Sequence, residues 1–232
     1  MTPRRLHHAI RPAALVAAAL ALCLAAPLAA QTAADSVIDR AVTAWAGVHT
    51  ARGSFEQTIT NALTGGTATS HGDFQQQRPN RLSIRFTDPD GDRIISDGKL
   101  VWLYLPSSAP DRVIKRSALA AGATPVDLTG QFLTAPRTKY QAAAHGTATV
   151  EGHATHAVVL TPRAGADVPF TRATVWVDDD DSLIRQFEVV EPSGVTRRVR
   201  LTTLAVNAPV DAAAFRYTPP RGVRVIDQTR AP

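Results

Sequence analysis

From Asp35 to His49 the residues Val37, Ile38, Ala41, Val42, Trp45 and Val48 recur at spacings of three and four. That is one apolar helical stripe, with Asp35 or Ser36 available as its cap. Past Gly53 the period changes to two. Phe55, Gln57 and Ile59 share one face of a strand, Gly65-Gly66 reads as a hairpin turn, and Thr67 to Gln77, carrying Phe74, is the return strand. Arg81 to Asp88 alternates Leu82, Ile84 and Phe86 against Arg81, Ser83 and Arg85. Asp88-Pro89-Asp90-Gly91 is a turn by composition, and Asp97-Gly98 is a two-residue turn between a short strand at Asp92 to Ser96 and the apolar strand Leu100 to Leu105. A loop at Pro106 to Pro110 leads to a strand at Arg112 to Arg116. Connections this tight predict an antiparallel meander, not a parallel sheet.

Between Ser117 and Leu133 the alternation stops, and Gly122, Pro125 and Gly130 punctuate helix-compatible residues. The pattern predicts one or two short helices there, centred on Val126 to Leu133. Strands resume at Tyr140–Glu151, Ala154–Thr161, Ala173–Asp178, Ile184–Glu191 and Val195–Val206, with a helical turn at Asp211–Phe215. No repeat, long linker or internal shift of composition divides the chain. About ten strands imply one large antiparallel sheet that curls into a barrel or folds into a sandwich. Only the helices at Asp35–His49 and Ser117–Leu133 are available to cover its open face.

The N-terminus changes the meaning of the charge. Arg4, Arg5 and Arg11 precede an unbroken apolar run from Ala13 to Ala26, then Pro27 and Leu28-Ala29-Ala30. This is the layout of a secretory signal, and the run is short of the roughly 20 residues that span a bilayer. Cleavage after Ala30 is expected, dividing the chain into a signal at 1–30 and a single domain at 31–232. Cys23, the only cysteine, lies inside that run behind Leu22, where a lipid-modified cysteine wants a small neighbour. A disulfide framework and a cysteine-based zinc site are therefore excluded. The 232 residues carry a formal charge of +5. Three basic residues and no acid leave with the signal, so about +2 remains, too little to argue for nucleic acid.

Candidate chemistry is sparse. His153 and His156 are three apart in a strand, on opposite faces and poorly placed to share a metal. Asp178 to Asp181 lies between two strands and reads as a solvated hairpin turn. No nucleophile elbow, phosphate-binding loop or dinucleotide motif occurs. Paired carboxylates can come from distant positions, so a β-rich periplasmic hydrolase is opposed only by silence. The arginines do not interleave with aromatics as a nucleic-acid stripe would.

Several fragments are more specific: Phe55-x-Gln57, the run Gly72 to Asn80 (GDFQQQRPN), Ile94 to Pro106 (IISDGKLVWLYLP), Thr124-Pro125, Leu160 to Pro162, and Val210 to Gln228 (VDAAAFRYTPPRGVRVIDQ). In this order the chain resembles the periplasmic outer-membrane lipoprotein carrier (LolA) family over nearly all of 31–232. The resemblance implies a mainly β, single-domain, unclosed antiparallel β-barrel with a lid of short α-helices over an apolar cavity. It implies a non-enzymatic monomeric chaperone without cofactor. Such a chaperone takes acylated lipoproteins from an ATP-driven exporter in the inner membrane and hands them to an outer-membrane receptor. A carrier or sensor of another amphiphile would use the same fold. By the same resemblance Arg78, before the proline of its R-P motif, is the lid-fastening residue. The residues expected in the cavity and lid are Trp45, Phe55, Ile59, Phe74, Leu82, Ile84, Phe86, Trp102, Tyr104, Val126, Leu128 and Phe132. Trp102 and Tyr104 lie on one face of their strand and Val101, Leu103 and Leu105 on the other, so alternation alone does not choose the cavity face. Val126-Asp127-Leu128-Thr129 is more polar than such a lid needs.

Overall fold

A computed structural model describes residues 31–118 and 127–229. The expected signal segment, the start of the second helical region and Val126 lie outside these residues. Helix α1 runs over 31–46. Thirteen strands follow, β1 (Thr50–Asn61), β2 (Thr67–Gln77), β3 (Arg81–Asp88), β4 (Asp90–Asp97), β5 (Leu100–Tyr104) and β6 (Arg112–Ser117) before the chain crosses over. A 3-10 turn at Gly130–Phe132 and the short helix α2 (Pro136–Lys139) lead into β7 (Tyr140–Val150), β8 (His153–Pro162), β9 (Arg172–Asp178), β10 (Ile184–Val190) and β11 (Val195–Leu201). β12 (Ala205–Val206), a 3-10 turn at Ala212–Phe215 and β13 (Arg224–Gln228) complete the chain.

All strands belong to one sheet in the order β13-β6-β5-β4-β3-β2-β1-β11-β10-β9-β8-β7, with β12 paired to β1. β7 and β13 are its two ends, so the curled sheet does not close. The tight turns explain the order. Gly65 and Gly98 take positive φ at the first hairpin and at the one joining β4 to β5, where a residue without Cβ is unstrained. At the latter, Asp97 Oδ1 also accepts from the Lys99 and Leu100 amides at 2.8 Å each. The antiparallel expectation fails at one pair: β13, a strand the alternation does not announce, runs parallel to β6. It is held there by Lys115 and Asp227 at 2.5 Å.

The concave side holds the main core. Ala34, Val37, Ile38, Ala41 and Trp45 of α1 are buried against Phe55, Phe74, Val175, Phe187 and Leu201. A second apolar layer occupies the other side. Cross-strand register places Ser83, Ile95, Trp102 and Lys115 in one row. The turn bearing the buried residues Ala214 and Phe215 packs against β3 and β4. Among the described residues no helix is long and apolar enough to cross a membrane.

The acidic run is not uniformly solvated. Asp178 is 1 % exposed and accepts from Arg185 Nε at 2.7 Å and from the Asp180 amide at 2.9 Å. His153 Nδ1 lies 2.7 Å from its Oδ2, while His156 pairs with Asp179 instead. Burial alone would raise the Asp178 carboxyl, but these partners outweigh it and hold the group below the usual carboxylate value.

Candidate functional site

Alternation puts every second side chain of the curled sheet on its concave side, and two distant stretches of sheet face one another there. Ile84 and Phe86 of β3 and Ile94 of β4 oppose Phe187 and Val189 of β10 and Val199 of β11 across a cavity of about 480 Å³. Phe55 of β1 lies at its base, edge-on to Phe86 with ring centres 5.4 Å apart. Gly72 makes this contact possible. A Cβ there would fall 2.8 Å from the Phe55 ring and 2.4 Å from the Arg85 carbonyl.

The roof is the stretch from Asp127 to Leu133. Phe132, fully buried, packs its ring 5.1 Å from Phe187 and 5.9 Å from Phe170. Phe170 in turn stacks on Tyr140 at 5.9 Å. Burial pushes the Tyr140 hydroxyl up to about 12, and it donates to the Gln131 carbonyl at 3.3 Å. Leu128 reaches the cavity and also faces Trp45 and Phe74 in a small gap beneath α1. The two helices are tied together by Arg137, which pairs with both Asp35 and Asp39 of α1.

A knot of polar bonds gathers where α1, the end of β2 and this roof meet. Helix α1 ends with carbonyls that lack helical partners. Arg78 Nη1, at the end of β2, donates to the Trp45 carbonyl at 2.7 Å and the Val48 carbonyl at 3.0 Å. Its guanidinium carbon also lies 5.6 Å from the centre of the Trp45 ring. Asp127 meets the same knot from the roof: Oδ2 accepts from Trp45 Nε1 at 3.2 Å and lies 3.9 Å from Arg78 Nε. Its Oδ1 accepts from the Gly130 amide at 2.8 Å. A Cβ on Gly130 would stand 2.0 Å from Asp127 Oδ2 and 2.6 Å from Trp45 Nε1. Only glycine leaves room for the bond.

The family model for the outer membrane lipoprotein carrier protein LolA matches residues 46–218. The chain belongs to the LolA family. An outer-membrane lipoprotein carrier protein of Proteus mirabilis (strain HI4320) is 29 % identical over 181 residues, covering 78 % of this chain and 83 % of its own. Among solved structures, an uncharacterized conserved protein of Thermus thermophilus aligns with TM-score 0.48 at 12 % identity, over 84 % of this chain and 99 % of that one. A LolA superfamily protein of Nitrosomonas europaea aligns with TM-score 0.40 at 11 % identity, over 79 % of this chain and 97 % of that one.

Of the cavity residues that the LolA resemblance singles out, Phe55, Ile84, Phe86 and Leu128 line the described cavity. Phe74 and Trp45 lie under the roof, and Phe132 forms it. Ile59 sits one step beyond Gln57 on the same face of β1, and Leu82 one step beyond Ile84 on β3, both outside the cavity lining. Trp102 and Tyr104 require correction. Ile94, a cavity residue, pairs with Leu103, so the neighbouring Trp102 and Tyr104 point to the opposite face. There they pack on Tyr217, at 5.6 and 6.4 Å. Phe170, Phe187, Val189 and Val199 were missed as cavity residues; for the last three the alternation of β10 and β11 was the available signal.

Asp127, which by sequence makes the lid more polar than it needs, is the acceptor that joins helix, strand and roof. Asp127→Ala removes two hydrogen bonds, one to an indole and one to an amide. The amide bond lies within the roof and only the indole bond crosses to α1. At about 1 kcal/mol net for the bond that crosses, the variant is expected to open about fivefold more readily. Tryptophan emission of the cargo-free protein should shift accordingly; an emission spectrum identical to that of the parent protein would contradict this.

Proposed function

We propose that this protein is a periplasmic lipoprotein chaperone, made with a cleaved signal over 1–30. In this reading it receives acylated lipoproteins from an ATP-driven exporter in the inner membrane and delivers them to an outer-membrane receptor. The observation that carries the reading is the apolar cavity of about 480 Å³ beneath a roof fastened by a few polar bonds. Taking a methylene at roughly the 30 Å³ of a liquid water molecule, such a space holds about 16 of them. That is one acyl chain in the closed form, and cargo with more chains requires the roof to lift.

The energetics suit a carrier. Each buried methylene contributes roughly 0.8 kcal/mol, so one chain gains on the order of 10 kcal/mol, enough to keep it from the aqueous phase. Release then depends on the opposing tendency of the roof to close over an empty cavity. Arg78 and Asp127 set that tendency, because Arg78 bonds to Trp45 only while the helix lies against the end of β2 and Asp127 only when helix and roof meet. The task makes and breaks no covalent bond, and the knot is assigned a mechanical role.

Depletion of the protein in its parent cell, followed by membrane fractionation, tests the reading. Outer-membrane lipoproteins are expected to accumulate in the inner membrane. An unchanged distribution, with another amphiphile found bound by native mass spectrometry, would replace lipoproteins as the cargo.

A further inference from the structure

One row of the cavity wall breaks the apolar rule. β11 turns Val195, Arg197, Val199 and Leu201 toward the concave side, while Thr196, Arg198 and Arg200 point outward. The outward arginines have ordinary partners: Arg198 pairs with Glu188 at 2.6 Å and Arg200 with Glu56 at 2.9 Å. Arg197 is the charged member of the inward row. Its Nη1 donates to Gln57 Oε1 at 3.1 Å and its Nη2 to Glu191 Oε1 at 3.3 Å. Gln57 Nε2 donates onward to Ser70 Oγ at 3.1 Å. Gln57, Glu191 and Arg197 all line the cavity.

Their position in it is graded. Phe187 and Val199, paired across the strands, are buried. One step outward the pair is Val189 and Arg197, and the Arg197 side chain is 39 % exposed. Arg197 and Glu191 therefore mark the solvent end of the cavity, and the buried Gln57, level with Val199, lies one step inside them. A partly exposed ion pair adds little to folding stability, so stability gives little reason for one in this wall.

We propose that Arg197, Glu191 and Gln57 receive the polar end of the cargo, specifically an uncharged ester or amide that links an acyl chain to its head. This rests on the carrier reading above. The chain runs inward past Val189 and Val199 toward Phe187 and Phe86, and a carbonyl oxygen at its head accepts from Arg197. A guanidinium has five N–H groups, and two are engaged here. Glu191 sets the specificity. The Arg197–Glu191 pair is neutral, so a free fatty acid carboxylate would have to displace Glu191 or lie beside it, whereas a neutral ester or amide need not.

The test uses the purified protein, a synthetic peptide carrying a diacylglyceryl cysteine, palmitate, and an apolar fluorescent dye that reports the cavity itself. Arg197→Met is expected to weaken lipopeptide binding about five- to tenfold, as loss of a hydrogen bond from a charged donor does, and to leave dye binding unchanged. Glu191→Gln is expected to tighten palmitate binding about fivefold by removing the like charge. Unchanged dye binding by both variants shows that the cavity is intact. Lipopeptide uptake by the parent protein with equal affinity in Arg197→Met overturns the assignment of the polar end alone. Dye binding without any lipopeptide uptake by the parent protein overturns the carrier reading and this inference with it.

Discussion

Replacing Arg78 by leucine is expected to leave loading of acylated cargo intact while delivery fails. The guanidinium donates to two carbonyls at the end of α1, at 2.7 and 3.0 Å, and both bonds exist only while the helix lies against the end of β2. Hydrogen bonds from a charged donor contribute about 1.5–3 kcal/mol, and the lower figure suits a side chain 35 % exposed. Losing that much from the closed form raises the open fraction about tenfold, and apparent cargo affinity scales with the fraction competent to bind. Arg78→Leu should therefore hold an acylated lipopeptide about tenfold more tightly. It should surrender the lipopeptide to an acceptor at a rate reduced by a similar factor, because closure no longer drives the chain out. Transfer at the parental rate would remove Arg78 from the mechanism. Asp127 acts on the same knot, so a variant lacking both is expected to show less than the sum of the two effects.

The largest loss of stability is expected from Arg185→Met. Asp178 and Arg185 are 1 % and 7 % exposed and joined at 2.7 Å in the hairpin of β9 and β10, whose continuation carries Phe187 and Val189. Removing one member of a buried pair costs about 3–5 kcal/mol, because the remaining charge stays desolvated. His153 and the Asp180 amide still serve Asp178, so about 3 kcal/mol is expected, a fall in Tm on the order of 10 °C. Replacing both residues by apolar ones of similar size should recover much of it. The pair also confers a pH dependence. The folded Asp178 carboxyl is held below its ordinary 3.8, so the unfolded chain takes up this proton first as pH falls. The contribution is complete above about pH 5 and is lost progressively as pH falls from that ordinary value toward the lower folded one. Urea unfolding at pH 7 and pH 3 should therefore separate the parent from Arg185→Met more widely at pH 7. An equal gap at both values would show that Arg185 does not act by stabilising the ionised carboxylate.

Much of the sheet was legible in the chain because alternation and turn chemistry are local. β2 and β3 begin and end where the pattern places them, and Gly65-Gly66 and Asp97-Gly98 turn as their composition demands. What depends on distant partners was not. β13 is five residues that become a strand only by lying parallel to β6. β5 is apolar on both faces, so the choice between Trp102 and Leu103 for the cavity rests on register with β4. Four consecutive aspartates look solvated, and the burial of Asp178 depends on Arg185 folding back from the next strand. Asp127 looked like a defect in an apolar lid because Trp45, Arg78 and Gly130 converge on it only in the folded molecule. Arg197 was visible in principle, as the charged member of an otherwise apolar row.

The central claim is that the cavity carries acyl chains of lipoproteins through water. Its most direct measurement is release of a newly made, acylated lipoprotein from inner-membrane vesicles supplied with ATP and the purified protein. The account predicts that the lipoprotein leaves the membrane in a soluble complex with this protein, and that filling the cavity beforehand with an apolar dye slows its release. Lipoprotein that stays in the membrane however much of the protein is added, or release that ignores an occupied cavity, would contradict it.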